Sequence, residues 1–420
     1  HGCGGCRGPQ ETTGGVMCPT YRASQEESTS TRGRANALRE AMSGQLDPEE
    51  AFSTEFKEEV LDLCIGCKGC KIDCPSGVDM AKLKAEVTHE RHEREGAPLR
   101  DRLFANFDSL ARLGSATAPI SNVVSELPGA RWLLERAIGI DADRPLPTFR
   151  RTTFAEWFEN RGGAVASTER ASAATGEGPL RRAVLYPDTI TNYTNPDAAR
   201  AAVEVLEAAG VAVTVPEGIG DTGRPAFSKG LLDTAKEAAR ENLDVLGPLV
   251  ADGYDVVVIE PSDAVMFQSD YLDLYPDPVT ERVAENTYGV CEYLDTFGLD
   301  EELSFAADSE PLAYHGHCHQ KATQKDHHAV GVLRRAGYAI EPLDSGCCGM
   351  AGSFGYEAEH ASMSDAIAGI LYGQIDDSDA DRVVAPGASC RTQLHNREGA
   401  SGEPPTPIEL LAEAVAQNGS

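Results

Sequence analysis

Seven of the twelve cysteines in this 420-residue chain fall within its first 95 residues, and their spacing carries the first chemical statement. The stretch Cys64-Ile65-Gly66-Cys67-Lys68-Gly69-Cys70-Lys71-Ile72-Asp73-Cys74-Pro75 reads C-x2-C-x2-C-x3-C-P. With that spacing a short loop wraps three irons of a cubane [4Fe–4S] cluster, while the cysteine before proline turns away to ligate a second cluster. Zinc also accepts C-x2-C pairs, but a tetrahedral ion gains nothing from a third C-x2 step. Upstream, Cys3-Gly4-Gly5-Cys6 and Cys18-Pro19 resemble the same motif with its first cysteine missing. Crossed ligation then assigns Cys3, Cys6 and Cys74, with a cysteine expected just before His1, to cluster one. Cluster two takes Cys18, Cys64, Cys67 and Cys70. Lys68 and Lys71 either offset cluster charge or are solvated, the latter slightly favoured.

A second set lies far downstream: Cys318, the adjacent Cys347 and Cys348, and Cys390. Each stands just past a short β-rich run. In an open α/β unit the loops beyond the strand ends converge on one crevice, so four thiolates meeting there make a metal site or a redox thiol site. Neighbouring Cys347 and Cys348 are poorly placed for a disulfide. His315, His317 and His319 surround Cys318 and read as hydrogen-bonding or solvated neighbours more than ligands. Lys321 and Arg391 could balance thiolate charge. Cys291 shares a helical face with Val283, Val290, Leu294 and Phe297, and reads as a buried hydrophobe.

The elements that must position these cysteines change character along the chain. Residues 1–95 read as a helical di-cluster ferredoxin-like domain. It has helices over 31–42, from Asp47 as N-cap with Pro48 in its first turn, and over 79–95, stopped by Gly96-Ala97-Pro98. Residues 96–178 read as a helical connector, with helices over 99–113 and 132–138 and a small-residue polar linker over 164–178. From residue 179 onward, apolar strands alternate with helices, the pattern of a parallel α/β sheet. Strands are expected over 183–186, 211–215, 255–259, 312–314 and 382–386, and helices over 196–209 and 231–246. The pattern over 179–308 recurs over 309–420 at an offset of about 123 to 128 residues, an internal duplication. Gly346-Cys347-Cys348-Gly349 falls where Gly220-Asp221-Thr222-Gly223 fell; the first copy has no cysteines there, with Ile190, Asp221-Thr222 and Asp263 or their neighbours instead. The expected fold class is therefore α plus α/β: a helical di-cluster domain followed by a duplicated parallel α/β domain, its first copy degenerate.

Composition limits the function. The formal net charge of −30 and nine lysines against 28 arginines argue against nucleic acid or an anionic membrane as partner. That balance suits a salt-adapted surface or a generally acidic cytosolic one. No apolar run reaches the roughly 18 residues of a membrane span. Clustered cysteines without a leader point to a reducing compartment, hence a cytoplasmic protein, at most peripheral on the inner face of the membrane. A chain opening at His1 with no initiator Met reads as a fragment of something longer.

Gly346-Cys347-Cys348-Gly349 with Cys318 upstream and Cys390 downstream resembles the cysteine-rich CCG domain of heterodisulfide reductases. That domain also occurs in the C subunit of anaerobic glycerol-3-phosphate dehydrogenase and in lactate and glycolate oxidase iron–sulfur subunits. The residues Thr12-Thr13-Gly14-Gly15-Val16-Met17-Cys18-Pro19, Ser30-Thr31-Arg32-Gly33-Arg34-Ala35-Asn36 and His315-Gly316-His317-Cys318-His319-Gln320-Lys321-Ala322, with the segment from Gly346 to Tyr356, look closer still to another family. They resemble the C-terminal part of fused FAD-linked oxidases of the D-lactate or D-2-hydroxyglutarate dehydrogenase type. The resemblance implies two [4Fe–4S] clusters, a third iron–sulfur cluster at the CCG cysteines, and FAD on a missing upstream domain or a partner. There, a D-2-hydroxy acid would lose hydride to FAD, and electrons would pass singly through this chain to a quinone or cytochrome-type acceptor. The alternatives are a glycerol-3-phosphate dehydrogenase component, or a thiol–disulfide catalyst like heterodisulfide reductase. One departure stands out: the pattern often ends C-x-x-C, whereas Cys390 is followed by Arg391, Thr392 and Gln393. Four cysteines suffice for one cluster but leave a non-cubane cluster in doubt.

Overall fold

The computed structural model describes residues 3–8, 16–45, 53, 56–307, 310–380, 382–400 and 402–416. The helix start expected at Asp47-Pro48 lies outside these residues.

Two parallel sheets organise the chain from Arg181 onward. The first comprises β1 (Arg181–Tyr186), β2 (Val211–Thr214), β3 (Asp255–Val258) and β4 (Thr287–Gly289), in the order β2-β1-β3-β4. Ala183 pairs with both Val213 and Asp255, so β1 is an interior strand. Its residues from Ala183 to Tyr186 are fully buried, as a strand covered by helices on both faces must be. The second sheet comprises β5 (Pro311–Tyr314), β6 (Ala339–Pro342) and β7 (Arg382–Val384), in the order β6-β5-β7. In both sheets the first strand in sequence is flanked by the second and the third. The strands expected at 183–186, 211–215, 255–259, 312–314 and 382–386 are present within a residue or two.

The two sheets share one core. The C-terminal helix Pro407–Ala416 packs against Pro196–Ala208 of the first unit. Ile408, Leu410, Leu411 and Ala414 join Ala198, Ala202 and Val205 in a single apolar cluster with Leu312 and Tyr314. Tyr338 Oη donates to the Leu410 carbonyl at 2.8 Å, fixing that helix against the second sheet.

The N-terminal lobe is helical. Thr31–Met42 starts at Ser30, whose Oγ accepts from Gly33 N at 2.9 Å, an N-cap that satisfies one free amide of the first turn. Asp79 caps Met80–Glu95 in the same way, and Gly96 ends it at φ +83°. Between the lobes run Leu99–Ala105, Phe107–Ala116, Ile120–Glu126 and Pro128–Ile138. The helix expected over 99–113 is thus broken at Asn106.

The linker expected over 164–178 is a correction. Gly163–Thr175 is a helix lying on β2. Ser167 and Ala171 are fully buried, and Ser167 Oγ accepts from Val213 N at 2.9 Å. The small residues that look like linker composition are what let the helix approach an edge strand closely, and the serine supplies that strand with an acceptor. Among the described residues, no helix is long and apolar enough to cross a membrane.

Candidate metal centres

Cys18 stands immediately before the helix Pro19–Ser24, where Pro19 at the first position fixes the chain's exit from the loop. Cys64 and Cys67 lie on the loop that enters the short helix Gly69–Asp73, and Cys70 stands in its first turn. Gly66 and Lys68 take φ of +66° and +60°, turning the loop so that its three sulfurs can face one point. Gly69 must be glycine, since a Cβ there would lie 2.9 Å from both Met17 N and Val16 Cβ. Cys18, Cys64, Cys67 and Cys70 line one pocket, together with Ile65, Arg34 and Met80. These are the four residues assigned to cluster two.

The two halves of this lobe are stapled by Asp73, whose Oδ2 accepts from Val16 N at 2.8 Å and Met17 N at 3.0 Å. Met80 N points at Cys70 Sγ, 3.4 Å away. Arg34, 1% exposed, places Nη1 3.5 Å from Cys18 Sγ and Nε 2.9 Å from the Val60 carbonyl. Burial pushes the Cys67 thiol well up and the Cys70 thiol up to about 12. Burial pulls Cys18 the same way, but the Arg34 guanidinium and hydrogen bonds from Thr20, Thr31 and the Tyr21 backbone together outweigh it and hold that thiol below its usual value. Buried thiols of this kind ionise together only if a cationic centre takes the thiolates. The donor set therefore fits an iron–sulfur cluster and has little use as free thiols.

Cys6 and Cys74 belong to the same apolar cluster as Cys18 and Cys70, with Cys6 buried and Cys74 half-buried, whereas Cys3 is exposed. The structure thus gathers six of the seven N-terminal cysteines in or beside this lobe's core and leaves Cys3 at its surface.

In the second unit, each cysteine follows the C-terminal end of a parallel strand. Cys318 opens the helix Cys318–Ala322 after β5, Cys347 and Cys348 lie on the loop after β6, and Cys390 lies on Ala388–His395 after β7. Strand ends of a parallel sheet are where such loops converge, and all four thiols are buried in one cluster. Hydrogen bonding to Cys318 and Cys348 holds the proton on Cys347 and pushes that thiol up, and hydrogen bonding to Cys348 does the same to Cys390. Cys348 is held well below the usual thiol value by hydrogen bonds from Cys347 and Cys390, with His315 contributing. Gly349, at φ +91°, lets the loop turn: a Cβ there would meet the Ser364 carbonyl oxygen at 2.3 Å.

The three histidines diverge. A ring nitrogen of His315 lies within 4.8 Å of the Cys348 and Cys390 sulfurs. His317 Nδ1 accepts from His319 N at 3.2 Å, and its Nε2 is 3.9 Å from Glu260 Oε1. His319 Nε2 bonds the Gly66 carbonyl at 3.0 Å. Lys321 Nζ donates to the Leu343 carbonyl at 3.1 Å and the Ser345 carbonyl at 2.5 Å, so it holds the Cys347 loop in place. Arg391 is turned to the Pro404 carbonyl and Glu403. Cys291 is buried in the shared core, where burial pushes its thiol up to about 12.

The two cysteine sets adjoin. Cys67 sits in the same apolar cluster as Cys318, Cys347, Cys348 and Cys390, and the His319–Gly66 bond ties the two cysteine loops together. Lys68 is neither solvated nor turned to a cluster. Its ammonium pairs with Asp270 of the first unit, at side-chain exposures of 3% and 1%. Asp270 also binds Arg224 Nη1 at 2.8 Å. No sequence signal pointed to Arg224 or Asp270, because each gains meaning only from a partner distant in the chain. Arg34 lay inside a quoted motif without a role.

In the first unit acids follow the strand ends, Asp188 buried and Asp221 and Asp263 half-buried. Asp188 follows β1, Asp221 follows β2 and Asp263 follows β3. Burial pushes Asp188 up to about 7 and Asp221 up to about 6.

Residues 1–78 match the family model of a 4Fe–4S dicluster domain, and residues 312–395 match that of a cysteine-rich domain. The D-2-hydroxyglutarate dehydrogenase of Escherichia coli (strain K12) is 24% identical over 95% of this chain, which spans only 42% of that protein's length. The C subunit of the anaerobic glycerol-3-phosphate dehydrogenase of the same strain is 27% identical over 81% of this chain and 83% of its own length. The glycolate oxidase iron–sulfur subunit of that strain is 23% identical over 90% of this chain and 87% of its own.

Proposed function

We propose that this iron–sulfur chain is the electron-transfer portion of a FAD-linked D-2-hydroxyacid dehydrogenase, of the D-lactate or D-2-hydroxyglutarate type. The observation that carries the reading is the meeting of two cysteine sets: one loop of the dicluster lobe shares its apolar surroundings with the four cysteines of the C-terminal unit. Cys18, Cys64, Cys67 and Cys70 hold one [4Fe–4S] cluster. Cys3, Cys6 and Cys74 contribute to another, whose shell is completed by a ligand beyond these three. Cys318, Cys347, Cys348 and Cys390 hold a third iron–sulfur centre. When bound, such centres supply one-electron transfer at potentials set by their ligands, hydrogen bonds and exposure.

The protein's own groups prepare those sites. Arg34 offsets thiolate charge at Cys18, Met80 N and Gly349 N point at the Cys70 and Cys347 sulfurs, and burial of all four C-terminal cysteines keeps water away. A flavin domain, in the same longer chain or on a partner, delivers electrons, and a quinone or cytochrome-type acceptor receives them. Residues 1–95 act as the dicluster domain, 96–178 as a helical connector, 179–308 as a degenerate α/β repeat, and 309–420 as the cysteine-bearing repeat. The matching strand orders β2-β1-β3 and β6-β5-β7 support the duplication. A role in glycerol-3-phosphate oxidation shares this chemistry and differs in partner. Thiol–disulfide catalysis is disfavoured, because a substrate disulfide would have to reach sulfurs that are at most 7% exposed.

Anaerobically purified protein should contain iron and acid-labile sulfide in matching amounts equal to three clusters. Mixed with a reduced FAD-dependent D-2-hydroxyacid oxidase domain, it should bleach in its cluster absorbance. Stoichiometric zinc without sulfide would refute the reading.

A further inference from the structure

His315 is fully buried, and its two ring nitrogens have different surroundings. Nδ1 lies 2.6 Å from Ser345 Oγ. Nε2 is buried and has no hydrogen-bond partner of acceptable geometry among the described residues, although the ring lies against Cys348. An orphaned ring nitrogen in the interior costs the full desolvation of a polar group. One ring nitrogen also forms, with the Cys348 and Cys390 sulfurs, a group whose ligand atoms all lie within 4.8 Å of one another.

We propose that His315 Nε2 is a ligand of the metal centre held by Cys318, Cys347, Cys348 and Cys390, giving it a mixed thiolate–imidazole shell. This rests on the reading that these cysteines hold an iron–sulfur centre. The geometry is that of a metal-binding imidazole. Such rings are commonly fixed by a hydrogen bond through the other nitrogen, which selects the tautomer and aims the lone pair. With Nδ1–H donating to Ser345 Oγ, the lone pair of Nε2 is left for a cation. Ser345 is itself held, since its carbonyl accepts from Lys321 Nζ at 2.5 Å, and Lys321 lies three residues beyond Cys318. The anchor of the imidazole and the loop of Cys347 are thus one rigid piece.

Neither neighbouring histidine forms such a close group with these sulfurs among the described residues. His317 uses Nδ1 on a backbone amide and turns Nε2 toward Glu260. His319 uses Nε2 on the Gly66 carbonyl, on the side of the dicluster lobe; its Nδ1 is also buried without a hydrogen-bond partner but is not grouped with the cysteine sulfurs, which separates it from His315. Gln393, three residues beyond Cys390, commits its amide to Tyr372 and Arg144 and offers the centre nothing. A nitrogen donor on the β5 side is what this shell holds in addition to its four sulfurs.

The test is pulsed electron paramagnetic resonance on anaerobically reduced protein, grown once with natural and once with ¹⁵N-labelled histidine. The expected result is a nitrogen hyperfine coupling of directly coordinated size that changes with the isotope. It should vanish in His315→Gln and persist in His317→Gln and His319→Gln, with iron and sulfide unchanged. His315→Cys should keep the iron, lose the coupling and lower the midpoint potential of this centre, because a thiolate replaces a neutral ligand. Iron and sulfide equal to three clusters, but no isotope-sensitive coupling in the labelled wild type, would overturn the assignment alone. Iron and sulfide equal to only two clusters would overturn the underlying reading, and the assignment with it. The isotope comparison needs no substitution, so it decides even if His315→Gln fails to fold.

Discussion

Replacing Asp270 with asparagine removes the one carboxylate that two buried cations share. Lys68 and Arg224 approach it from the dicluster loop and from the first α/β unit, at side-chain exposures of 3% and 10% against its own 1%. Breaking a buried ion pair by deleting one partner costs about 3–5 kcal/mol, because the surviving charge is left uncompensated. Here two charges survive, so the upper half of that range applies. Lys68→Met is milder: Asp270 keeps Arg224 at 2.8 Å, and the loss should be about 1–3 kcal/mol. The assay is hydrogen exchange at the amides of Gly69–Asp73, the helix that Lys68 precedes. At about 1.4 kcal/mol per decade, Asp270→Asn should speed exchange there by about three decades, and Lys68→Met by about one to two. If the two variants exchange alike, or Lys68→Met exchanges faster, the picture of a shared carboxylate holding the loop is wrong.

Gly349→Ala brings a Cβ to 2.3 Å from the Ser364 carbonyl at a φ of +91°; it should lose the C-terminal centre while the dicluster lobe keeps its iron, as metal analysis and cluster spectra will report. Cys67→Ser should lose one cubane, whereas Cys291→Ala should retain full iron and sulfide, since that thiol is only a buried apolar group. Asp188 carries its proton up to about pH 7 in the folded protein, against an ordinary value of 3.8. The folded state therefore binds more protons than the unfolded one between those values, and stability falls as pH rises through that window. Asp188→Asn should raise the melting temperature at about pH 8 by more than at about pH 4; an equal effect at both would contradict the burial argument.

What could be read without coordinates depended on how local each signal was. Ligand spacing in the loop from Cys64 to Cys74 is written into a dozen consecutive residues, and the cavity lined by Cys18, Cys64, Cys67 and Cys70 is where that spacing points. Central strands such as β1 and β3 are continuous apolar runs and were legible for that reason. The strand β6 was not, because it lies at a sheet edge, exposes Ala339 and Glu341, and ends in a proline. Gly163–Thr175 looked like a linker since its small residues are explained only by the strand they lie on. Lys68 presented only a charge; the 202 residues that separate it from Asp270 hide the partner that gives the charge its use.

The bond from His319 to the Gly66 carbonyl also bears on timing. Carriers on separately tethered domains must wait for a collision before each transfer, and their turnover slows in a viscous solvent. Here the loops of Cys67 and Cys318 are fastened to each other at rest, so an electron crossing between them waits for no swing of one lobe against the other. Glycerol or sucrose should leave that step untouched.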